Sequence, residues 1–255
     1  MASIRKGLLQ LVFSGSFMKR WNDKMRPMEL VEVDKQAHKM IAAWLLFELN
    51  SQGMSPEEKS ALGEDIVRGG IFDYLYRLVI TDIKPPIFYQ IKDFWGPCRP
   101  ISSARCAATR AWLRASSTRP TFFASRWEFH LIRGLNQCGT RRWTRSRRTS
   151  APDSRPIRPG RRAAASGRPA GKFAFMCGRL RFQKRWSQTP RIPETSVLGH
   201  MFIVACLAYF FSIAVGACPV RRHNNFYAGL FHDIPELLTR DIISPVKSSV
   251  QASAI

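Results

Sequence analysis

Between Tyr227 and Lys247 the chain reads YAGLFHDIPELLTRDIISPVK, with one histidine and three carboxylates, His232, Asp233, Glu236 and Asp241, set among apolar residues. Phe226, Leu230, Ile234, Leu237 and Leu238 recur at intervals of three and four, so the spacing predicts a helix over 224–239. On that helix Glu236 follows His232 by four positions and Asp233 by three, which turns the three side chains toward one side. Imidazole nitrogen beside carboxylate oxygen is a ligand set suited to a divalent transition metal or magnesium. Pro235 removes one backbone hydrogen bond there and is expected to kink the helix next to the site. The competing reading is that His232 and Asp233 are a neighbouring pair making caps or surface hydrogen bonds.

These residues have to be positioned by a sizeable core. With 255 residues, 45% of them hydrophobic, the chain can form one large domain or two small ones. A net charge of +22 would point to a polyanion or an anionic membrane if it were evenly spread. It is not: residues 97–172 hold 17 arginines and one lysine against Glu128 and Asp153, sixteen of the excess positive charges. This stretch is also rich in Ser, Ala, Pro and Gly and keeps no period of 2 or 3.6, so residues 93–175 are expected to be disordered. Two readings of it compete. Arginines interleaved with Trp112, Phe122, Phe123, Trp127 and Trp143 could bind single-stranded RNA, guanidinium on phosphate and ring on base. Alternatively, the arginine bias with abrupt edges is what a GC-rich gene yields when translated out of frame, and this is the preferred reading.

The six cysteines form no C-x-x-C pair and no zinc spacing, which suits reduced thiols in a cytoplasmic protein; Cys206 and Cys218 are expected in the core or a loop. The N-terminal MASIRKGLLQLVFSGSF is interrupted by Gly and Ser and reads as a short amphipathic or core helix rather than a secretory signal. Met201–Cys218 runs uncharged for 18 residues, the lower edge of spanning length. A buried helix is preferred to a membrane anchor there, because His200 opens it and a polar His-Asp stretch soon follows.

The run H-D-x-x-E-x-L-T-x-D from His232 to Asp241, followed by Pro245-Val246-Lys247, resembles the HD-domain metal-dependent phosphohydrolases, especially the branch of bacterial 5'-deoxynucleotidases. His200, 32 residues before His232, takes the place of that family's first histidine, and Arg185-Trp186 resembles its nucleotide-contacting Arg-Trp. The resemblance covers residues 179–247 and implies an all-α, HD-like helical bundle. It further implies one divalent ion (Mn, Co, Mg, Fe or Zn) on His200, His232 and Asp233. Glu236 and Asp241 would be catalytic, Arg185 and Trp186 substrate-binding, and the substrate a small, nucleotide-like phosphomonoester. The chain departs in reading Gly199-His200-Met201 where the deoxynucleotidases read Glu-His-Ser, and in ending at Ile255 without the family's later aspartate ligand. A truncated site with weak metal affinity and little turnover is therefore expected.

The N-terminal part echoes the same pattern. Lys19-Arg20-Trp21 recurs as Lys184-Arg185-Trp186, an isolated histidine follows at His38 and again at His200, and Gly70, Phe72, Leu78, Asp82 and Pro86 align with Gly229, Phe231, Leu237, Asp241 and Pro245. Either this is a degenerate duplication with Asp73-Tyr74 in place of His-Asp, or two amphipathic helices are alike by chance. His38 is then a structural or surface residue. The expected organisation is a helical, HD-like repeat over 1–92, an arginine-rich insert over 93–175 and a truncated HD core over 176–255. Besides the phosphohydrolase, an arginine-rich nucleic-acid binder acting through 97–172 is the alternative function.

Overall fold

The computed structural model describes residues 4–81, 107–136, 169–185, 189–190 and 192–239. Its elements are α1 (Lys6–Ser14), α2 (Glu32–Asn50), α3 (Pro56–Ile80), α4 (Ala107–Ile132), α5 (Pro169–Cys177), a 3-10 helix (Gly178–Phe182), α6 (Val197–Ala214), α7 (Pro219–Phe231) and α8 (Glu236–Thr239). Among the described residues there is no strand, only isolated antiparallel bridges at Lys19–Val31 and Lys184–Ser196. The all-α, HD-like expectation therefore holds.

Local sequence explains where these helices start. Ser55 and Glu58 form a reciprocal capping box, each side chain accepting the other's backbone N–H at 3.2 Å, and Pro56 needs no N–H in the first turn of α3. Ser196 caps α6 by accepting the Gly199 N–H at 2.8 Å, and Pro219 opens α7. α2 lies at the centre, packed against α3, α4, α5 and α6, and is buried on nearly every side. α6 packs along α7, and α7 returns against α3. Their shared core includes Met40, Phe47, Ile66, Tyr74, Met201, Phe202, Phe226 and Leu230.

α6 is long and apolar enough to cross a membrane, yet 56% of it is buried inside the protein, consistent with the core helix expected for this stretch. The helix starts before Met201 and stops at Ala214, short of Cys218. Cys206 is buried in the core, and Cys218 is exposed at the start of α7. Cys98, Cys106 and Cys138 lie outside the described residues.

Within residues 93–175, expected to be disordered, two stretches are ordered, and the remainder lies outside the described residues. Residues 107–132 are helical and residues 169–175 begin α5. Trp127 is buried, donates to the Phe175 carbonyl at 3.0 Å and lies under the Arg181 guanidinium at 4.4 Å, so it offers no face for a nucleic-acid base. Glu128 is fully buried and accepts from Arg20 at 3.1 Å, Trp21 at 2.8 Å and Arg181 at 3.1 Å. Averaging composition over the arginine-rich block hid this segment, where Ala124, Trp127, Glu128 and Ile132 recur at three and four on one buried stripe. Trp143 and most of the arginine clusters lie outside the described residues.

His38 is structural, as expected. Its Nε2 sits 2.7 Å from the Ala174 carbonyl and its Nδ1 3.4 Å from an Arg181 nitrogen. A carbonyl can only accept and a guanidinium can only donate, so the ring is neutral with its proton on Nε2. Burial first, and the neighbouring Arg181 charge second, push its pKa down to about 3.

Candidate metal centre

The candidate ligands come from two places, the first turn of α6 and the turn that follows α7. The backbone of Arg185 pairs with Thr195 at 2.8 Å, and Val197 pairs with Gln183 at 2.8 Å, so the short bridge feeds straight into α6 and sets His200 in its first turn. Ser196, at the start of that turn, also donates to Asp34 at 2.6 Å, fastening the entry of α6 to α2. Burial raises the Asp34 pKa to about 6, with Arg181 and the Ser196 hydrogen bond pulling it back down.

His232 and Asp233 lie beyond the end of α7, which corrects the single helix expected over 224–239. α7 stops at Phe231, residues 232–235 form a turn, and α8 begins at Glu236. Pro235 breaks the helix rather than kinking it, and the turn is closed by the Ile234 N–H to the Phe231 carbonyl and the Glu236 N–H to the Asp233 carbonyl, both at 3.1 Å. The three ligand atoms of His200, His232 and Asp233 nevertheless lie within 4.8 Å of one another. Sequence reasoning placed these residues together, but through the wrong local geometry.

A hydrogen bond orients His232. Its Nδ1 lies 2.7 Å from the Gly229 carbonyl, which can only accept, so Nδ1 carries a proton and Nε2 is turned toward the site. Nε2 lies 3.1 Å from Asp233 Oδ2, and His200 Nε2 lies 3.8 Å from the same oxygen. Asp233 Oδ2 is buried and accepts no hydrogen bond. Two imidazole nitrogens converging on one carboxylate oxygen are a place for a positive charge, a proton or a metal ion. A histidine that donates its second ring N–H to a backbone carbonyl is also the usual arrangement of a metal ligand. The residues present thus fit a divalent ion.

Arg185 and Glu236 complete the rim. Arg185 reaches Glu236 at 3.3 Å and Asp233 at 3.7 Å. Glu236 is buried, and its backbone carbonyl accepts from the Gln183 amide at 3.0 Å, tying the start of α8 to the bridge. Gln183 escaped sequence reasoning because its role is a long-range hydrogen bond from an unremarkable residue. The proposed roles of Trp186 and Asp241 fall on residues outside those described.

Residues 177–254, just under a third of the chain, match the family model of the HD domain. The match encloses His200, His232, Asp233, Glu236 and the bridge at Lys184, and supports an HD-domain family for this part of the protein. Neither curated proteins nor solved structures give a match to the chain.

Proposed function

We propose that the chain is a metal-dependent phosphohydrolase of the HD superfamily, acting on a phosphomonoester of a small nucleotide-like substrate. The observation that carries this reading is the facing pair of His232 Nε2 and Asp233 Oδ2, 3.1 Å apart with His200 beside them, inside the stretch that matches the HD domain. A divalent cation bound there supplies positive charge to a phosphate oxygen and acidifies water. His200, His232 and Asp233 hold it. Arg185, at the rim, grips the phosphate through its planar fork, releasing part of its hold on Glu236 as it does so. Glu236 accepts the proton of the attacking water, and Asp241 orients the water or the leaving oxygen. Trp186 is assigned to the nucleoside end of the substrate from the family resemblance alone.

The test is phosphate release from deoxynucleoside 5'-monophosphates and p-nitrophenyl phosphate with Mn, Co, Mg, Fe or Zn added singly, beside direct Mn binding by calorimetry. Weak metal binding that disappears in His232→Ala, with slow release that tracks the bound metal, is the expected result. No binding of any of the five metals, or release indifferent to chelator and to His232→Ala, sinks the reading.

A further inference from the structure

The two bridges open matching sequences of contacts. Lys19 pairs with Val31 and Lys184 with Ser196, twelve residues on in each case. The flanking hydrogen bonds match one for one: Arg20 N–H to Leu30 and Glu32 N–H to Met18 in the first, Arg185 N–H to Thr195 and Val197 N–H to Gln183 in the second. Both bridges lead directly into a helix, of 19 residues in α2 and 18 in α6, and the next helix in each case begins with proline, Pro56 or Pro219. Those next helices then cross the first at a glycine. Gly70 sits against Met40 and Gly229 against the Ala205 backbone, and Met40 and Ala205 are each nine residues past their bridge partner. A side chain at Gly229 would lie 2.9 Å from Ala205 Cα, so the close crossing excludes one.

These coincidences set a residue-by-residue register. Counting from the bridges places Arg20 where Arg185 stands and Lys35, not His38, where His200 stands. Counting from the crossing glycines places Asp73, Tyr74 and Arg77 where His232, Asp233 and Glu236 stand. None of the three metal ligands has a ligating counterpart set. Tyr74 instead turns into the core and donates to the Val12 carbonyl at 2.6 Å, and Asp73 pairs with Lys39 at 2.7 Å. Glu32, whose counterpart is Val197, pairs with Arg20 and with Lys35 at 3.2 Å, and lies 3.9 Å from Arg77. Although burial opposes it, these three cations hold the Glu32 carboxyl at about 2, so it is ionised among them.

We propose that residues 18–80 are a second, metal-free copy of the unit formed by residues 183–239, in which the largely buried ion cluster of Arg20, Glu32, Lys35 and Arg77 stands in place of the metal centre. In the copy an arginine has replaced the glutamate of the working site, and a glutamate at the first position of the facing helix has taken over its pairing with the bridge arginine. The copy serves as a scaffold for its neighbour. Glu128 joins Arg20 to Arg181, just ahead of the Lys184 bridge, and Asp34 holds the cap of the helix that carries His200.

The register makes a prediction that needs neither metal nor activity. Glu32→Val and Arg77→Glu, each alone, should lower the unfolding temperature by roughly 10 °C or more, because each unbalances buried charge. Together they recreate the arrangement around Arg185, valine at the bridge helix and glutamate opposite the arginine, and should recover at least half of that loss. Glu32→Val with Lys35→Met restores the net charge without a carboxylate at position 77, and should recover less. If a single variant fails to fold, soluble double variant is itself the rescue. Recovery below half, no soluble double variant, or equal recovery by the Lys35→Met pair overturns the register. Manganese stoichiometry on the full chain gives a second reading: one ion per chain, lost in His232→Ala, is expected, and an ion that survives His232→Ala but not Glu32→Ala overturns the proposal. A chain that binds none of the five metals would refute the phosphohydrolase reading while the rescue experiment still decides this one.

Discussion

The bridge at Lys19 and the bridge at Lys184 deliver an arginine in the same backbone setting, and the charges around the two arginines are arranged for opposite ends. Arg20 is buried between Glu32 and Glu128, and each of these carboxylates is itself held by a further cation, Lys35 or Arg181. Arg185 is a fifth exposed and lies beside a carboxylate oxygen that accepts no hydrogen bond and faces a histidine ring nitrogen. The first arrangement spends its polar groups on one another, and so it can only stabilise. The second withholds an interaction, and a group left wanting a partner at a partly open position is a binding site. The difference lies in which charges are satisfied, not in how many there are.

The largest expected effect tests the closed side. Glu128→Ala leaves Arg20 and Arg181 facing each other in the core without their shared counter-ion, at a cost of about 3–5 kcal/mol. Urea denaturation of the two chains measures it. Glu236→Ala should cost distinctly less, because Arg185 can turn to water when its partner is removed. Equal losses would erase the contrast between the two regions.

The next effect sharpens it through pH. His38 titrates normally, near 6.5, when unfolded, but only at about 3 in the fold, so its contribution to stability is intact above pH 6.5 and is lost as pH falls below that. Asp34 works in the opposite sense: burial raises its folded pKa to about 6, so the native state gains stability as pH falls from 6 toward 3.8. The two nearly cancel over pH 4.5–6 in the native chain. His38→Gln keeps a donor for the Ala174 carbonyl but removes one side of the balance. Its stability relative to wild type should rise by about 1.4 kcal/mol for each pH unit below 6. Unfolding midpoints at pH 6.5, 5.5 and 4.5 decide the matter, and parallel profiles for the two proteins would show that His38 is not held neutral.

The sequence displays the ligands better than the geometry that holds them. His232 and Asp233 are adjacent, and His200 stands at a family spacing, so pattern alone nominates all three as candidates. The break at Pro235 was readable as a kink only, since whether a proline bends or ends a helix depends on what packs against the next turn, here the Gln183 amide on the Glu236 carbonyl. The pairing of Ser196 with Asp34, and of Glu128 with Arg20 and Arg181, joins residues far apart in the chain and leaves no periodic trace. Glu128 was further masked by the arginines around it, whose composition argued for disorder while one buried stripe among them argued the reverse. The echo of Lys19-Arg20-Trp21 in Lys184-Arg185-Trp186 was visible, yet the isolated histidines suggested His38 as the counterpart of His200. Only the backbone register assigns that place to Lys35.

The smallest effect is the most telling about the open side. Asp233→Asn replaces the charged oxygen 3.1 Å from His232 Nε2 with an uncharged amide that can donate to a neutral imidazole. Without metal the variant should be as stable as the native chain or more stable, by about 1 kcal/mol, because a buried polar atom has gained a partner. With metal the order reverses. Manganese should raise the unfolding temperature of the native chain and leave that of Asp233→Asn unchanged, since the amide has lost the charge and the lone pair that made the oxygen a ligand. A carboxylate whose neutralisation stabilises the protein is being kept for something other than the fold. Should Asp233→Asn instead destabilise the metal-free chain by as much as Glu128→Ala does, Asp233 is a structural partner like Glu128, and the distinction between a closed and an open cluster fails at the residue on which it depends.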